Sequence, residues 1–448
     1  MNVARPRRLL IISYLFPPAG GVAVQRALSL AKYLPDCGCE VHVLRARNAA
    51  APVQDPGLLR HIPASVTVHS AFTPELPFQF RQRIWRWFSR GGQAGAGQAG
   101  KPSKGGWKKW VTRLTRRILC PEPEVLWVPF ALRKARRIVR EHEIEAILVT
   151  APPFSAFLVG NALKRQFPNL RLITDFRDSW LGFYAATFDF QNSDYLRRRS
   201  AKIERETVEN SDYVVTVTHS IQAELRTRYA AQPEHKFIYI PNGYDPAVFA
   251  AFQARRHEGT KIVVTHLGTV YEASSPRSFL DSLKAMPEEI RNSFEVRFIG
   301  RVTDQERAAL AGYGSLVRIM GFMPQAEALR QLEETDYALV VMTDAASLTG
   351  KLFEYLATRK PVLAISPDGG EIDRVLRATN CGWCSDTNDG PAIQAMIRKA
   401  YEMARSGAPG FEPNWAAVRE YERPRQAAQF AKLMAAGEVE NARVEVLQ

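Results

Sequence analysis

The sequence predicts an α/β protein of two domains, each a parallel sheet with helices on both faces. Three observations predict it. Short apolar, β-branched runs of strand length recur along the chain, and they stay apolar throughout, as strands buried on both faces do. Amphipathic helical segments separate these runs, the β-α-β rhythm that builds parallel sheets with right-handed crossovers. The series pauses over residues 247–259 and restarts at Lys261, and 448 residues exceed what a single growing core holds.

Residues 8–16, RLLIISYLF, read as the first strand. The preceding Arg5-Pro6-Arg7-Arg8 resembles the start of a signal peptide. However, the apolar run stops at Pro17-Pro18-Ala19-Gly20-Gly21 without a cleavage signature, which favours a buried strand. A helix follows with Val24, Ala27, Leu28, Leu30, Ala31 and Leu34 on its apolar side, then Gly38 and a second strand over 40–44. A dinucleotide-binding protein would place GxGxxG at the first turn and an acid after the second strand. Here the turn reads PPAGGVAVQR and the strand ends in Leu44-Arg45, which argues against a nicotinamide dehydrogenase. Gly20 and Gly21 still leave room for a phosphate to approach, the alternative being a tight structural turn.

Between 78 and 137 the character changes. Arg81-Gln82-Arg83-Ile84-Trp85-Arg86-Trp87-Phe88 mixes cations with aromatics, and 91–106 is rich in Gly, Ala and Gln. Lys108, Lys109, Arg113, Arg116 and Arg117 then alternate with Trp107, Trp110, Val111, Leu114, Ile118 and Leu119. That pattern suits a basic amphipathic helix lying on an anionic membrane surface, or a solvated lid with its tryptophans tucked onto its own domain. No readout motif accompanies the charge, so nucleic acid is not an expected partner.

The rhythm resumes with a helix over 129–142, a strand over 146–150, the turn Ala151-Pro152-Pro153-Phe154-Ser155 and a helix to 167. A strand over 171–174 ends in Asp175-Phe176-Arg177-Asp178-Ser179-Trp180. Polar groups past the carboxyl end of a parallel strand line the ligand crevice of open sheets, which makes Asp175, Arg177 and Asp178 site candidates. A structural Asp/Arg pair is the alternative. A charged helix over 194–209, a strand over 213–218, a helix over 220–229 and a strand over 237–240 lead to the sharp turn Pro241-Asn242-Gly243-Tyr244-Asp245.

In the second series, strand 262–267 ends at Gly268-Thr269-Val270-Tyr271, and a helix carries Phe279, Leu280 and Leu283. Strand 294–299 ends at Gly300-Arg301, and strands over 317–320 and 337–342 follow. Next comes SLTGKLFEYLATRKPVLA, 347–364, a loop, a short helix and a buried strand. Thr349 is placed to cap the helix and Gly350 admits a ligand to the backbone, so first-turn N–H groups and the Lys351 ammonium converge on one anion-seeking spot. Glu354, three residues on, shares that face. A diphosphate for the helix end and lysine, with sugar hydroxyls for the carboxylate, describes a nucleotide sugar. The plain alternative is a solvated helix pair. Helices over 391–405 and 415–435 close the chain, the last expected to pack back on the first domain.

The 60 Lys and Arg against 46 Asp and Glu give a net charge of +14, which points to an anionic partner of some kind. Cys37, Cys39, Cys120, Cys381 and Cys384 are too few and too uneven for a disulfide framework, and Cys381-Gly382-Trp383-Cys384 lacks the further ligands of a zinc site. No apolar run reaches the ~18 residues of a bilayer span.

The motif order resembles the GT-B glycosyltransferases, in particular the retaining family 4 and its bacterial polysaccharide-assembly branch. The matching pieces are IISYLFPPAGGVAVQR, APPFSA, DFRDSW, YIPNGYD, HLGTVY, FIGR, MGFMP and GKLFEYLATRKPVLAIS, running from about Ile11 to Ser366. The resemblance implies two Rossmann-like domains facing each other across a cleft. Residues 1–245 would form the acceptor domain, with a basic insertion over 78–128; residues 246–410 would form the nucleotide-sugar domain, and 411–448 a returning helix and tail. It implies transfer of a sugar, with retention and without a metal or other cofactor, to a lipid-linked or saccharide acceptor at the cytoplasmic face of the membrane. Glu354 would take the ribose hydroxyls. Thr349, Gly350, Lys351 and Leu352 would meet the diphosphate or sugar, Gly268 and Thr269 would flank the donor, Gly20 and Gly21 would approach the phosphates, and Arg277 or Arg301 would add a cation. Lys351, Asp178 and Arg177 are the catalytic candidates. The family pairs two glutamates eight positions apart. Here Ala346 stands where the first would be, with Asp344 or backbone groups as substitutes. A sugar-nucleotide 2-epimerase or hydrolase, and a non-catalytic subunit of an assembly complex, are the competing readings.

Overall fold

The computed structural model describes residues 5–49, 51, 53–74, 118–184, 194–255, 257, 259–406 and 411–435. The basic stretch over 81–117 lies outside the described residues. Chain contacts divide the protein into two units, one of Met1–Val217, Ile221–Ile240 and Ala427–Gln448, the other of Thr218–Ser220 and Pro241–Gln426.

Unit one holds a seven-stranded sheet in the order β3-β2-β1-β4-β5-β6-β7. Its strands are β1 Arg7–Ile12, β2 Cys39–Ala46, β3 Thr67–Ala71, β4 Ala146–Ala151, β5 Arg171–Phe176, β6 Tyr213–Thr216 and β7 Phe237–Tyr239. All pairings are parallel. The central strands are apolar because both faces are covered: Leu9, Ile11 and Leu148 sit in one core, Leu10, Ile12 and Ile147 in the other. The last helix, Arg423–Ala435, contributes Ala427, Phe430 and Met434 to the first of these cores.

Unit two holds a six-stranded sheet in the order β10-β9-β8-β11-β12-β13. The strands are β8 Ile262–Leu267, β9 Phe294–Ile299, β10 Val317–Gly321, β11 Tyr337–Val341, β12 Val362–Ile365 and β13 Gly382–Ser385, again all parallel. In both sheets the order of the first six strands is 3-2-1-4-5-6, which reverses direction at the first strand and creates a ligand crevice beyond the carboxyl ends there. β8 is that first strand in unit two.

Several elements differ from the sequence reading. The first strand ends at Ile12 and the chain bends at Tyr14 and Leu15, although Tyr14 and Phe16 remain buried. β3 was not predicted: as an edge strand, TVHSA lacks the apolar run that marks its neighbours. The helices Asp304–Ala311, Gln325–Glu333 and Glu371–Thr379 are also additional. The predicted helix over 415–435 is two, Trp415–Arg419 and Arg423–Ala435. The break arises where Tyr244 forms backbone hydrogen bonds to Tyr421 and Arg423, pinning the PNGYD turn to the chain. Gly243 is required there, since a Cβ would lie 2.0 Å from the Tyr421 carbonyl oxygen.

Candidate active site

The helix Gly350–Ala357 buries Leu352, Phe353, Tyr355 and Leu356 beside Ala338, Val340 and Val362. The apolar spacing leaves Lys351 and Glu354 on the other side, both half-buried. Thr349 occupies the N-cap position with extended backbone, but the predicted side-chain cap is absent. Leu352 turns wholly into the core and its N–H bonds the Thr349 carbonyl, so neither group faces a ligand. The N–H groups of Gly350 and Lys351 have no acceptor among the described residues.

Lys351 is held from behind. Its Nζ lies 3.0 Å from Nε2 of His266, a fully buried residue of β8. His266 Nδ1 lies 3.1 Å from the Leu339 carbonyl, which only accepts, so Nδ1 carries the proton and Nε2 accepts from the ammonium. Burial, reinforced by the lysine charge, holds the His266 pKa far below the usual histidine value and keeps the ring neutral. Burial also lowers Lys351 to about 8, with Glu354 pulling the other way. His266 lies in the HLGTVY stretch, where no neighbouring residue in the sequence marks it as a site group.

Gly268 completes the seat. Its φ is +120°, and a Cβ there would stand 3.1 Å from Lys351 Nζ. Gly300, φ +130°, lies so close behind that its own Cβ would stand 2.4 Å from the Gly268 carbonyl oxygen. The ends of β8 and β9 thus press glycine backbone against the lysine. Tyr355 Oη accepts the Leu267 N–H at 2.7 Å, locking helix to strand. Thr269 is exposed at the same loop.

The Glu354 carboxylate accepts no hydrogen bond among the described residues. Desolvation raises its pKa, opposed by Arg423 and then Lys351. Arg277 is committed: its Nε donates to Ser275 Oγ at 2.9 Å and its Nη2 pairs with buried Glu306 at 3.2 Å. Arg301, next to Gly300, is exposed. Asp344 accepts from the Ala346 N–H at 3.3 Å and from Ser347 Oγ, so it shapes the loop. Ala346 is exposed.

The unit-one candidates scatter. Asp175 is a structural residue: buried, it takes Arg26 Nε at 2.9 Å and Nη2 at 2.8 Å, and Thr150 Oγ1 at 2.7 Å. Arg26 also donates to the Ile240 carbonyl at 2.8 Å and lies over the Phe430 ring. Arg177 spends its guanidinium on the carbonyls of Ala23, Ala151 and Pro152. Asp178 keeps an exposed side chain, and crowding by the surrounding protein raises its pKa against the pull of Arg177. Gly20 is packed, a Cβ there meeting Asp55 Cβ at 2.9 Å, whereas Gly21, φ +85°, opens the helix Val22–Tyr33 onto free space. Cys381 and Cys384 are free thiols raised by burial to about 11 and about 12.

Residues 89–248 match Glycosyltransferase Family 4. Over 154 residues the chain is 27% identical to the probable glycosyltransferase WbjE of Pseudomonas aeruginosa, the match spanning 34% of this chain and 38% of that relative. Among solved structures, the UDP complex of Anabaena Alr3699/HepE is 13% identical with a TM-score of 0.59, covering 96% of this chain and 99% of that one. The lipopolysaccharide outer core galactosyltransferase WaaB is 10% identical with a TM-score of 0.58, with the same coverage. The family match falls largely in unit one, so the Lys351 seat rests on geometry alone. Over residues 89–248 the chain is thus similar to Glycosyltransferase Family 4, and its two parallel α/β sheets are those of the GT-B fold.

Proposed function

We propose that this protein transfers a sugar from a nucleoside-diphosphate donor to a lipid-linked or saccharide acceptor in cell-surface polysaccharide assembly. The observation that carries the reading is the Lys351 ammonium, aimed by His266 at 3.0 Å over a glycine floor, beside a carboxylate with no hydrogen-bond partner among the described residues. An ammonium and two uncommitted helix N–H groups suit a diphosphate, and Glu354 suits the ribose hydroxyls. Support comes from the relatives: HepE is described with UDP and with UDP-glucose, WaaB as a galactosyltransferase.

The chemistry asked of the chain is electrostatic. As the sugar–phosphate bond breaks, charge grows on the leaving diphosphate, and preorganised donors stabilise it without reorganising. Lys351 and the first-turn N–H groups supply those donors, and Arg301 is the cation left to join them. Arg177 drops out of the catalytic set because its donors are committed. Asp178 remains the acceptor-side candidate, Gly20 and Gly21 candidates for the phosphate approach, and Gly268 and Thr269 the donor floor. Transfer proceeds with retention and needs no metal or other cofactor. The basic stretch over 81–119 docks the protein reversibly on the anionic inner face of the membrane.

The test is mass analysis of products made from a pool of nucleotide sugars and membrane lipid extract, with calorimetric titration of each donor. A glycosylated lipid or saccharide is expected, and its anomeric configuration reports retention. Free nucleoside diphosphate with an altered sugar and no acceptor would point to a 2-epimerase or hydrolase. Tight donor binding that never turns over would point to a non-catalytic subunit, for which Ala346 is the motive. Absence of donor binding would overturn the proposal.

A further inference from the structure

Three histidines remote in sequence meet in unit one. His42 lies on β2, His69 on the edge strand β3, and His142 closes the helix Val128–Glu141 as its C-cap residue. The parallel register pairs His42 with Thr67 and Leu44 with His69, so the first two rings project from the same sheet face, one step apart. Leu44 and Ala46 on that face pack with Ala131, Ala135 and Ile138 of the helix, which brings its end, and His142, down onto the pair.

The geometry is that of a ligand set. His42 Nδ1 stands 3.2 Å from His69 Nε2, and one ring nitrogen from each of the three residues lies within 4.8 Å of the others. Zinc–imidazole bonds of about 2.05 Å at a tetrahedral angle put ligand nitrogens about 3.3 Å apart. The far nitrogen of His42, Nε2, lies 3.1 Å from Glu40 Oε1. A carboxylate on the outer nitrogen fixes the tautomer and turns the other lone pair inward, the usual support of a metal-bound histidine. His42 is buried, and His69 and His142 are half-buried, so an ion has a path in from one side. Nothing in the glycosyltransferase chemistry uses these residues.

We propose that His42, His69 and His142 bind one divalent transition-metal ion of the zinc type, a structural clip that ties the edge of the unit-one sheet to the helix Val128–Glu141. Three imidazoles leave the fourth position to water, and a nitrogen-only set favours zinc, copper or nickel over magnesium or calcium. Binding displaces the proton that His42 Nδ1 and His69 Nε2 share in the metal-free protein, moving it to the outer nitrogen of His69. The ion is a stabiliser, so the proposal stands or falls independently of donor binding.

The experiment uses the full chain without an affinity tag, stripped with a chelator and titrated with Co²⁺, then Zn²⁺. Expected are one equivalent of Co²⁺ with the visible absorption of a four-coordinate nitrogen site, its displacement by Zn²⁺, and a Zn²⁺-dependent rise in Tm of several degrees. His69→Gln and His142→Gln should each abolish the visible bands and the Tm shift, and Glu40→Gln should weaken binding by about tenfold or more. Both histidines are half-buried, so these variants keep their metal-free Tm; if one fails to fold, the other decides. No binding at micromolar metal, or binding that survives in the histidine variants, overturns the proposal. Sulfur-to-cobalt charge-transfer bands would instead locate the ion at Cys381 and Cys384.

Discussion

At the scale of single residues, Lys351 is held in a state that costs stability, and the proposed donor site is what that state would serve. Its folded pKa of about 8 lies below the ordinary lysine value because burial penalises the charge. The sign follows: below about pH 8 the buried ammonium destabilises the fold, and the penalty is relieved as pH rises from about 8 toward the unfolded value. Lys351→Met is therefore expected to raise the urea midpoint at neutral pH while weakening donor binding by about 1.5 to 3 kcal/mol, the range for a charged hydrogen bond. Calorimetry and urea unfolding read these opposite signs in one variant. Donor affinity of the unchanged protein should hold near neutrality and weaken above about pH 8, and the Lys351→Met profile should be flat there. An unchanged affinity in Lys351→Met would remove the lysine from the site. Gly268→Ala places a Cβ 3.1 Å from Lys351 Nζ at φ +120°, so backbone strain of about 1–3 kcal/mol and a displaced ammonium should appear together, as lower stability and a higher donor Kd.

At the scale of elements, the sheet of unit one is cross-braced by Arg26 and Asp175. That pair ties the helix Val22–Tyr33 to β4 through Thr150, to β5 through Asp175 itself and to the chain after β7 through Ile240. Both side chains are out of solvent, so removing one leaves an uncompensated charge. Arg26→Ala should cost about 3–5 kcal/mol in equilibrium unfolding, whereas the paired change Arg26→Met with Asp175→Leu should cost far less. Equal losses in both variants would mean that packing, not charge, dominates. The central strands of both sheets were legible because strands covered on both faces are apolar at most positions. β3 was not, because an edge strand has one neighbour and carries TVHSA, a sequence whose apolar content is too low to announce it. The break before Arg423 has a local sign in Pro424, which cannot continue a preceding helix but fits the first turn of a new one, and the contact with Tyr244 fixes where the chain turns.

At the scale of the whole molecule, the net charge of +14 is a property that long-range electrostatics can use. Among the described residues no helix is long and apolar enough to cross a membrane. If the basic stretch over 81–119 docks the protein, sedimentation with anionic lipid vesicles should be strong at low salt, fall steeply by a few hundred millimolar salt as the Debye length shrinks, and vanish with neutral vesicles. Replacing Lys108, Lys109, Arg113, Arg116 and Arg117 by glutamine should remove the binding and leave donor affinity untouched. Vesicle binding that survives those changes would assign the surface elsewhere.

Sequence alone determined the α/β class, the two β/α series, the glycine-rich ends of β8 and β9 and the Lys351–Glu354 helix, because strand and helix periodicity and backbone permissiveness are local properties written in consecutive residues. Tertiary structure decided what those residues are free to do. Arg177, Arg277, Asp175 and Asp344 looked like site groups by type and place, and each is committed to protein partners. His266, to which the sequence assigns no role, holds the lysine 85 positions away, while His42, His69 and His142 form a cluster that no spacing rule could find. The physical reason is the same in each case. A polar group's chemistry depends on which donors and acceptors reach it and how much water is left around it, and both are set by neighbours that are distant in the chain.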